Sequence, residues 1–254
     1  ARPTTGYWMV TAAGQVFPFG SAAHFGEPAD RLGKARAVDL EPTPDGNGYW
    51  VLDSTGEVHP YGAAPRLGRV EPAALAAGEE PTSLSATPSG AGYWIFTSRG
   101  RVVPFGDAGF FGDVSTVKLN GKVLGSVATP SGKGYYMVAA DGGIFTFGDA
   151  VFRGSTGNLR LSRPVMGMAP AADGSGYWLV ASDGGVFAFG VPFRGSMGAT
   201  RLNEPITGMV PGGDGYLMVG ADGGIFSFGT VPFFGSLGAN PPASRVIAVA
   251  LRRS

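Results

Sequence analysis

The sequence predicts an all-β fold, and three observations predict it: a repeat of about 40 residues present six times, turn-forming pairs at fixed offsets within it, and termini cut inside a repeat. The first marker is an aromatic doublet after glycine, at Gly6-Tyr7-Trp8, Gly48-Tyr49-Trp50, Gly92-Tyr93-Trp94, Gly134-Tyr135-Tyr136 and Gly176-Tyr177-Trp178, with a degenerate sixth copy at Gly215-Tyr216-Leu217. The second is an aromatic followed by glycine, at Phe19-Gly20, Tyr61-Gly62, Phe105-Gly106, Phe147-Gly148, Phe189-Gly190 and Phe228-Gly229. Both series step by 42, 44, 42, 42 and 39 residues, so two independent markers keep one phase.

Within one unit, residues 164–169, 176–181, 185–189 and 192–195 are short apolar or aromatic runs. They are separated by Ala172-Asp173-Gly174-Ser175, Ser182-Asp183-Gly184 and Gly190-Val191, and Asp-Gly accepts the positive φ of a tight hairpin. Four strands per repeat make a blade, so the expected architecture is a six-bladed β-propeller with four-stranded blades. A stacked solenoid uses shorter coils and needs capping segments, which this sequence lacks.

The chain enters on a second strand at Gly6-Tyr7-Trp8 and leaves after 245–251, which matches first strands such as 122–128. The C-terminal strand is therefore expected to complete the N-terminal blade, formed by 6–26 plus 245–251, in one domain spanning 1–254. Pro18, Pro60 and Pro104 fall in third strands, where a missing N–H implies either a very short fourth strand or an irregular outer edge.

The 254 residues carry 44 Gly and 20 Pro, as many short strands and turns require. Lys plus Arg equal Asp plus Glu at 19 each, so no long-range field draws the chain to nucleic acid, and no such partner is expected. There is no Cys, hence no disulfide, thiolate metal site or thiol nucleophile, and no apolar run is long enough to span a bilayer. The chain begins at Ala1 rather than Met, as a processed or trimmed chain does, and secretion is compatible with that. A monomeric domain without cofactor or metal is expected.

Residue by residue, the packing reading prevails over the chemical one. One Tyr-Trp doublet per repeat is what packing between sheets demands, so these rings are expected in the core rather than stacked on sugars. Phe17, Phe145, Phe187 and Phe226 recur at one strand position, and His59 stands there in the second repeat as a substitute for a packing Phe. His24 lies in a loop without a nucleophile motif. Asp141, Asp183 and Asp222 begin Asp-Gly-Gly turns, and one carboxylate each suits a hairpin better than a calcium site.

Strand alternation puts the turn between strands two and three, and the connector to the next repeat, on one face of the ring. That face is expected to gather Arg31, Arg36, Arg69, Lys118, Lys122, Arg160, Arg163, Arg201 and Arg245, with Asp141, Asp183 and Asp222 nearby. Of these, Arg31, Lys118, Arg160, Arg201 and the three aspartates are the candidate binding residues. No residue is assigned as catalytic.

The wording of the later units, Gly176-Tyr177-Trp178-Leu179-Val180-Ala181-Ser182-Asp183-Gly184-Gly185-Val186-Phe187-Ala188-Phe189-Gly190, resembles a repeat of secreted and cell-surface β-propeller proteins of actinobacteria. The resemblance covers essentially the whole chain, more loosely in the first three units, where the turns read Ala13-Gly14-Gln15, Thr55-Gly56-Glu57 and Arg99-Gly100-Arg101. It implies a propeller at an extracellular location and carries no catalytic motif onto these positions. The expected function is a noncatalytic module binding a cell-wall polymer, a glycan or a protein partner. Two alternatives stand beside it: a glycoside hydrolase or polysaccharide lyase using Asp39, Glu41, Glu80 and Glu204 at the starts of first strands, and a structural scaffold.

Overall fold

The computed structural model describes residues 4–253. Among them, 18 strands form six three-stranded antiparallel sheets, with a single 3₁₀ turn at Pro72–Ala74 as the remaining element. In chain order the strands are β1 (Thr4–Thr11), β2 (Val16–Gly20), β3 (Ala37–Pro42), β4 (Gly48–Asp53), β5 (Val58–Gly62), β6 (Pro81–Ala86), β7 (Gly92–Thr97), β8 (Val102–Gly106) and β9 (Val123–Ala128). The second half continues with β10 (Gly134–Ala139), β11 (Ile144–Gly148), β12 (Val165–Pro170), β13 (Tyr177–Ala181), β14 (Val186–Phe189), β15 (Ile206–Gly212), β16 (Gly215–Gly220), β17 (Ile225–Phe228) and β18 (Val246–Arg253). Five sheets are consecutive triplets from β3–β4–β5 to β15–β16–β17; the sixth is β18–β1–β2, in which the last strand pairs antiparallel with the first.

The expected fourth strands are absent: each sheet has three. The segments after β2, β5, β8, β11, β14 and β17 form no ladder, and Pro18, Pro60 and Pro104 show why in half of them, since an edge residue without N–H cannot donate to a further strand. Side chains hold these segments instead. Within a sheet, the indole N–H groups of Trp8, Trp50, Trp94 and Trp178 donate to the carbonyls of Ala23, Pro65, Gly109 and Pro192 at 2.6–2.9 Å. From the next sheet, the hydroxyls of Tyr49, Tyr93, Tyr135, Tyr177, Tyr216 and Tyr7 donate to the carbonyls of Gly26, Gly68, Gly112, Gly154, Gly195 and Gly235. Burial pushes the hydroxyls of Tyr49, Tyr135 and Tyr216 up to about 12, so they remain donors.

The doublets thus pack between sheets, as expected: Trp8, Trp50, Trp94 and the six Tyr are fully buried, and Trp50 meets Tyr93 edge-on at 5.6 Å between ring centroids. Phe17, Phe145, Phe187 and Phe226 pack half-buried against the same clusters. His59 departs from the expected packing role. Its Nε2 meets the buried Asp53 Oδ2 at 2.9 Å, and although burial pushes the Asp53 carboxyl up, the bonds from His59 and Thr55 outweigh it and leave it lowered.

The first strands β18, β3, β6, β9, β12 and β15 lie side by side in a circuit that returns from β15 to β18. Backbone bonds tie the starts of all first strands but β6, which begins at Pro81, to two sheets: Ala37 N–H donates to Ala12 O of the preceding sheet, while Arg36 O accepts from Ser54 of its own. The same pair of bonds joins Val246 to Ala221 and Arg245 to Ala12, so the turn between strands two and three and the incoming connector share one face.

Glu79, on the connector into β6, reinforces this face. Its fully buried carboxylate accepts from Thr97 Oγ1 at 2.7 Å, from Ala76 N–H at 2.9 Å and from Arg101 Nε at 2.9 Å. Burial pushes the carboxyl up, yet these donors outweigh it and hold it below the ordinary range. A lowered carboxylate stabilises the fold above its unfolded pKa, and that stabilisation is lost as pH falls through the folded value. Because Arg101 is partly exposed, Glu79→Gln is expected to cost about 2 kcal/mol near pH 7 and progressively less as pH falls through the folded value, read from urea midpoints along that range; a cost that does not fall with pH refutes the pairing.

Candidate central cavity and its basic mouth

A cavity of about 600 Å³ runs between the six first strands. Its shape begins with a shared irregularity. Every first strand skips one residue in its register with the second strand, leaving Val38, Thr82, Leu124, Met166, Thr207 and Ile247 unpaired. A bulge re-aims its side chain, and all six of these line the cavity as a ring. Two residues before four of the bulge residues, Arg36, Glu80, Lys122 and Arg245 surround a second space of about 280 Å³ that shares the bulge ring with the cavity. This is the mouth on the connector face. Arg36 and Glu80 pair across neighbouring sheets at 2.9 Å; among the described residues, Lys122 and Arg245 have no carboxylate partner.

Beyond the ring, the cavity has two unlike halves. On β3, β6 and β9 it is polar. Asp39 Oδ2 accepts from Ser83 Oγ at 3.0 Å and from Leu84 N–H at 2.8 Å, and its Oδ1 from Leu40 N–H at 2.8 Å. Glu41 Oε1 accepts from Ala86 N–H at 3.1 Å, and the hydroxyls of Ser83 and Ser85 each meet that of Ser126 at 2.9 Å. Asp39 touches the cavity yet has protein on every other side, and that burial pushes its carboxyl above the ordinary range despite three donors. On β12, β15 and β18 the lining includes Met168, Met209, Val210, Val249 and Leu251, with Gly167 and Gly208.

The expected binding residues distribute unevenly. Arg31, Lys118, Arg160 and Arg201 are exposed and stand outside the mouth, whose cations are Arg36, Lys122 and Arg245. Asp141, Asp183 and Asp222 each accept the N–H two residues on, from Gly143, Gly185 and Gly224 at 2.8–3.0 Å, the geometry of a self-capped turn. Of the four carboxylates in the enzymatic alternative, Asp39 and Glu41 line the cavity, Glu80 stands at the mouth, and Glu204 is exposed. The bulge ring and the serine cluster were missed from the sequence.

No family model matches the chain, and no curated protein does. Solved structures do. One is a chain of a nidogen/laminin complex, with a TM-score of 0.62 at 9% identity over 97% of both chains. Another is the β-propeller domain of Cps50 (Swd1) from Myceliophteria thermophila, at 0.56 and 13% over 85% of this chain and 76% of that one. The fold is a β-propeller. A propeller-like match to a Bacteroides thetaiotaomicron protein of unknown function gives 0.53 at 12% identity, over 85% of this chain and 67% of that one. At such identities the likeness speaks for the fold alone.

Proposed function

We propose that this propeller is a noncatalytic interaction module of the cell exterior, six-bladed and closed by β18, that binds an acidic stretch of a partner protein over the mouth of its central cavity. The observation that carries this reading is the pair of cations without carboxylate partners, Lys122 and Arg245, above a cavity lined by all six first strands. Cations free of internal partners are available to carboxylates of another chain, and exposed Arg31, Lys118, Arg160 and Arg201 extend the same sign over the connector face. The nidogen/laminin and Swd1 likenesses support a propeller scaffold for such a role.

The enzymatic alternative draws on the raised carboxyl of Asp39 inside a cavity. Against it, Asp39 and Glu41 both accept backbone N–H groups of β6, which is work of structure. The test is retention of the purified protein on arrays of immobilised acidic and basic peptides, beside insoluble cell-wall material and glycans, with product analysis after long incubation. Retention on acidic peptides that drops at least tenfold in Lys122→Glu/Arg245→Glu supports the module. Retention on glycan unaffected by that variant, or new reducing ends, overturns it.

A further inference from the structure

Every inward N–H of a first strand faces the central cavity and needs an acceptor there. On three strands the N–H at one shared level finds its acceptor within the protein, and on β6 a second N–H does too. Leu40 N–H and Leu84 N–H use Asp39, Ala86 N–H uses Glu41, and Ser126 N–H donates to Ser83 Oγ at 3.1 Å. For β6 and β9 the acceptor is a side chain of the preceding first strand.

The other three strands repeat the geometry without the acceptor. Leu40, Leu84 and Ser126 stand opposite Val51, Ile95 and Met137 of their second strands; Met168, Met209 and Val249 stand opposite Leu179, Met218 and Met9 in the same register. Their N–H groups therefore point inward as well. The residues that take the place of Asp39 and Ser83 on the preceding strands are Gly125, Gly167 and Gly208, which have nothing to offer. A Cβ added to Gly167 would lie 3.1 Å from Met209 N, so β12 and β15 approach closely at this level with no side-chain acceptor between them. Among the described residues none of the three N–H groups meets a backbone acceptor outside the sheets, and no side chain accepts from them.

We propose that Met168, Met209 and Val249 present a three-donor backbone site for a carboxylate, the C-terminal carboxylate of a partner polypeptide segment, admitted past Arg36, Lys122 and Arg245. This deepens the interaction-module reading and rests on it for the identity of the ligand. A carboxylate is acceptor-only with about four lone-pair directions, which suits inward N–H donors behind a basic mouth. The opposite half of the cavity is closed to it, because the N–H groups of Leu40, Leu84 and Ala86 are already taken by Asp39 and Glu41.

The experiment is a ¹H–¹⁵N titration of the whole chain with an acetylated tripeptide ending in a free carboxylate, beside the same peptide amidated at its C-terminus and sodium chloride alone. Saturable shifts of the Met168, Met209 and Val249 amides with the free acid only are expected. Gly208→Ser has room, since a Cβ added there would have its nearest neighbour, an atom of Val219, at 3.7 Å, and its hydroxyl would satisfy Val249 N–H; it should weaken the free acid at least tenfold while leaving the spectrum folded. Equal shifts with the amidated peptide or with chloride, or none at these amides, overturn the site. Acidic peptides held by the mouth without these shifts refute this site and leave the module standing; free-acid shifts without retention on acidic peptides do the reverse.

Discussion

Gly154→Ala is expected to cost roughly 4 kcal/mol of unfolding free energy, whereas Gly174→Ala, also at positive φ, costs only about 1 kcal/mol. At Gly154 the backbone has φ +135°, a conformation that side chains rarely adopt, and a Cβ there would lie 2.4 Å from Phe189 Cδ1. Phe189 has no room to yield, because its ring packs against Tyr177 with centroids 5.7 Å apart. Tyr177 in turn donates to Gly154 O at 2.5 Å and accepts from Arg153 N–H at 3.1 Å, so moving the segment breaks the bonds that join two sheets. Backbone strain, overpacking and lost hydrogen bonds thus fall on one junction. Gly174 has φ +72° and nothing within 4 Å of the same added atom, which leaves the conformational cost alone. Urea midpoints of the two variants decide the matter. Similar shifts would mean that the junctions do not carry the stability assigned to them.

Such junctions explain how far the sequence could be read. The repeat phase was legible because each doublet has a double duty: its Tyr reaches back to a glycine of the preceding sheet and its Trp reaches across its own. That is a packing rule, and packing rules recur in every copy. The fourth strand was misread because an aromatic run such as 192–195 has strand composition, while its carbonyl at Pro192 is taken by Trp178 Nε1 instead of a ladder. His59 was misread for a related reason. Its partner Asp53 sits six residues away on the neighbouring strand, and a positional match to Phe hides that contact.

The site was less legible than the fold. The bulge ring of Val38, Thr82, Leu124, Met166, Thr207 and Ile247 has no residue type in common, so nothing but register reveals that all six face the cavity. Spacing from the doublets could have placed them, had a bulge been assumed in each first strand. Arg160 and Arg201 were expected to bind from their place in connectors, yet Lys122 and Arg245 hold the mouth because they stand two residues before a bulge.

Removing β18 is expected to abolish cooperative folding. A chain ending at Ser244 loses the ladder along β1 from Thr4 to Thr11 and the buried side chains of Val246, Val249, Ala250 and Leu251. At about 1.5–3 kcal/mol for each large apolar side chain, the loss is roughly 6 kcal/mol, within the range of a whole domain's stability. The damage reaches both neighbours, since Ala250 packs with Trp8, Leu40 and Tyr49, while Val246, Val249 and Leu251 pack with Tyr7, Leu217 and Val219. The circuit of first strands would also open, as β18 touches both β3 and β15. The truncated chain should therefore bind a hydrophobic dye, lose near-ultraviolet dichroism, and regain it when a peptide of residues 245–254 is added in trans. An unchanged urea midpoint for the truncated chain would mean that five sheets stand without the sixth. If the peptide restores the signal, folding must await the strand farthest along the chain, because pairs between residues 4 and 253 form only after both ends exist; such long-range pairing places this fold among slow-folding topologies.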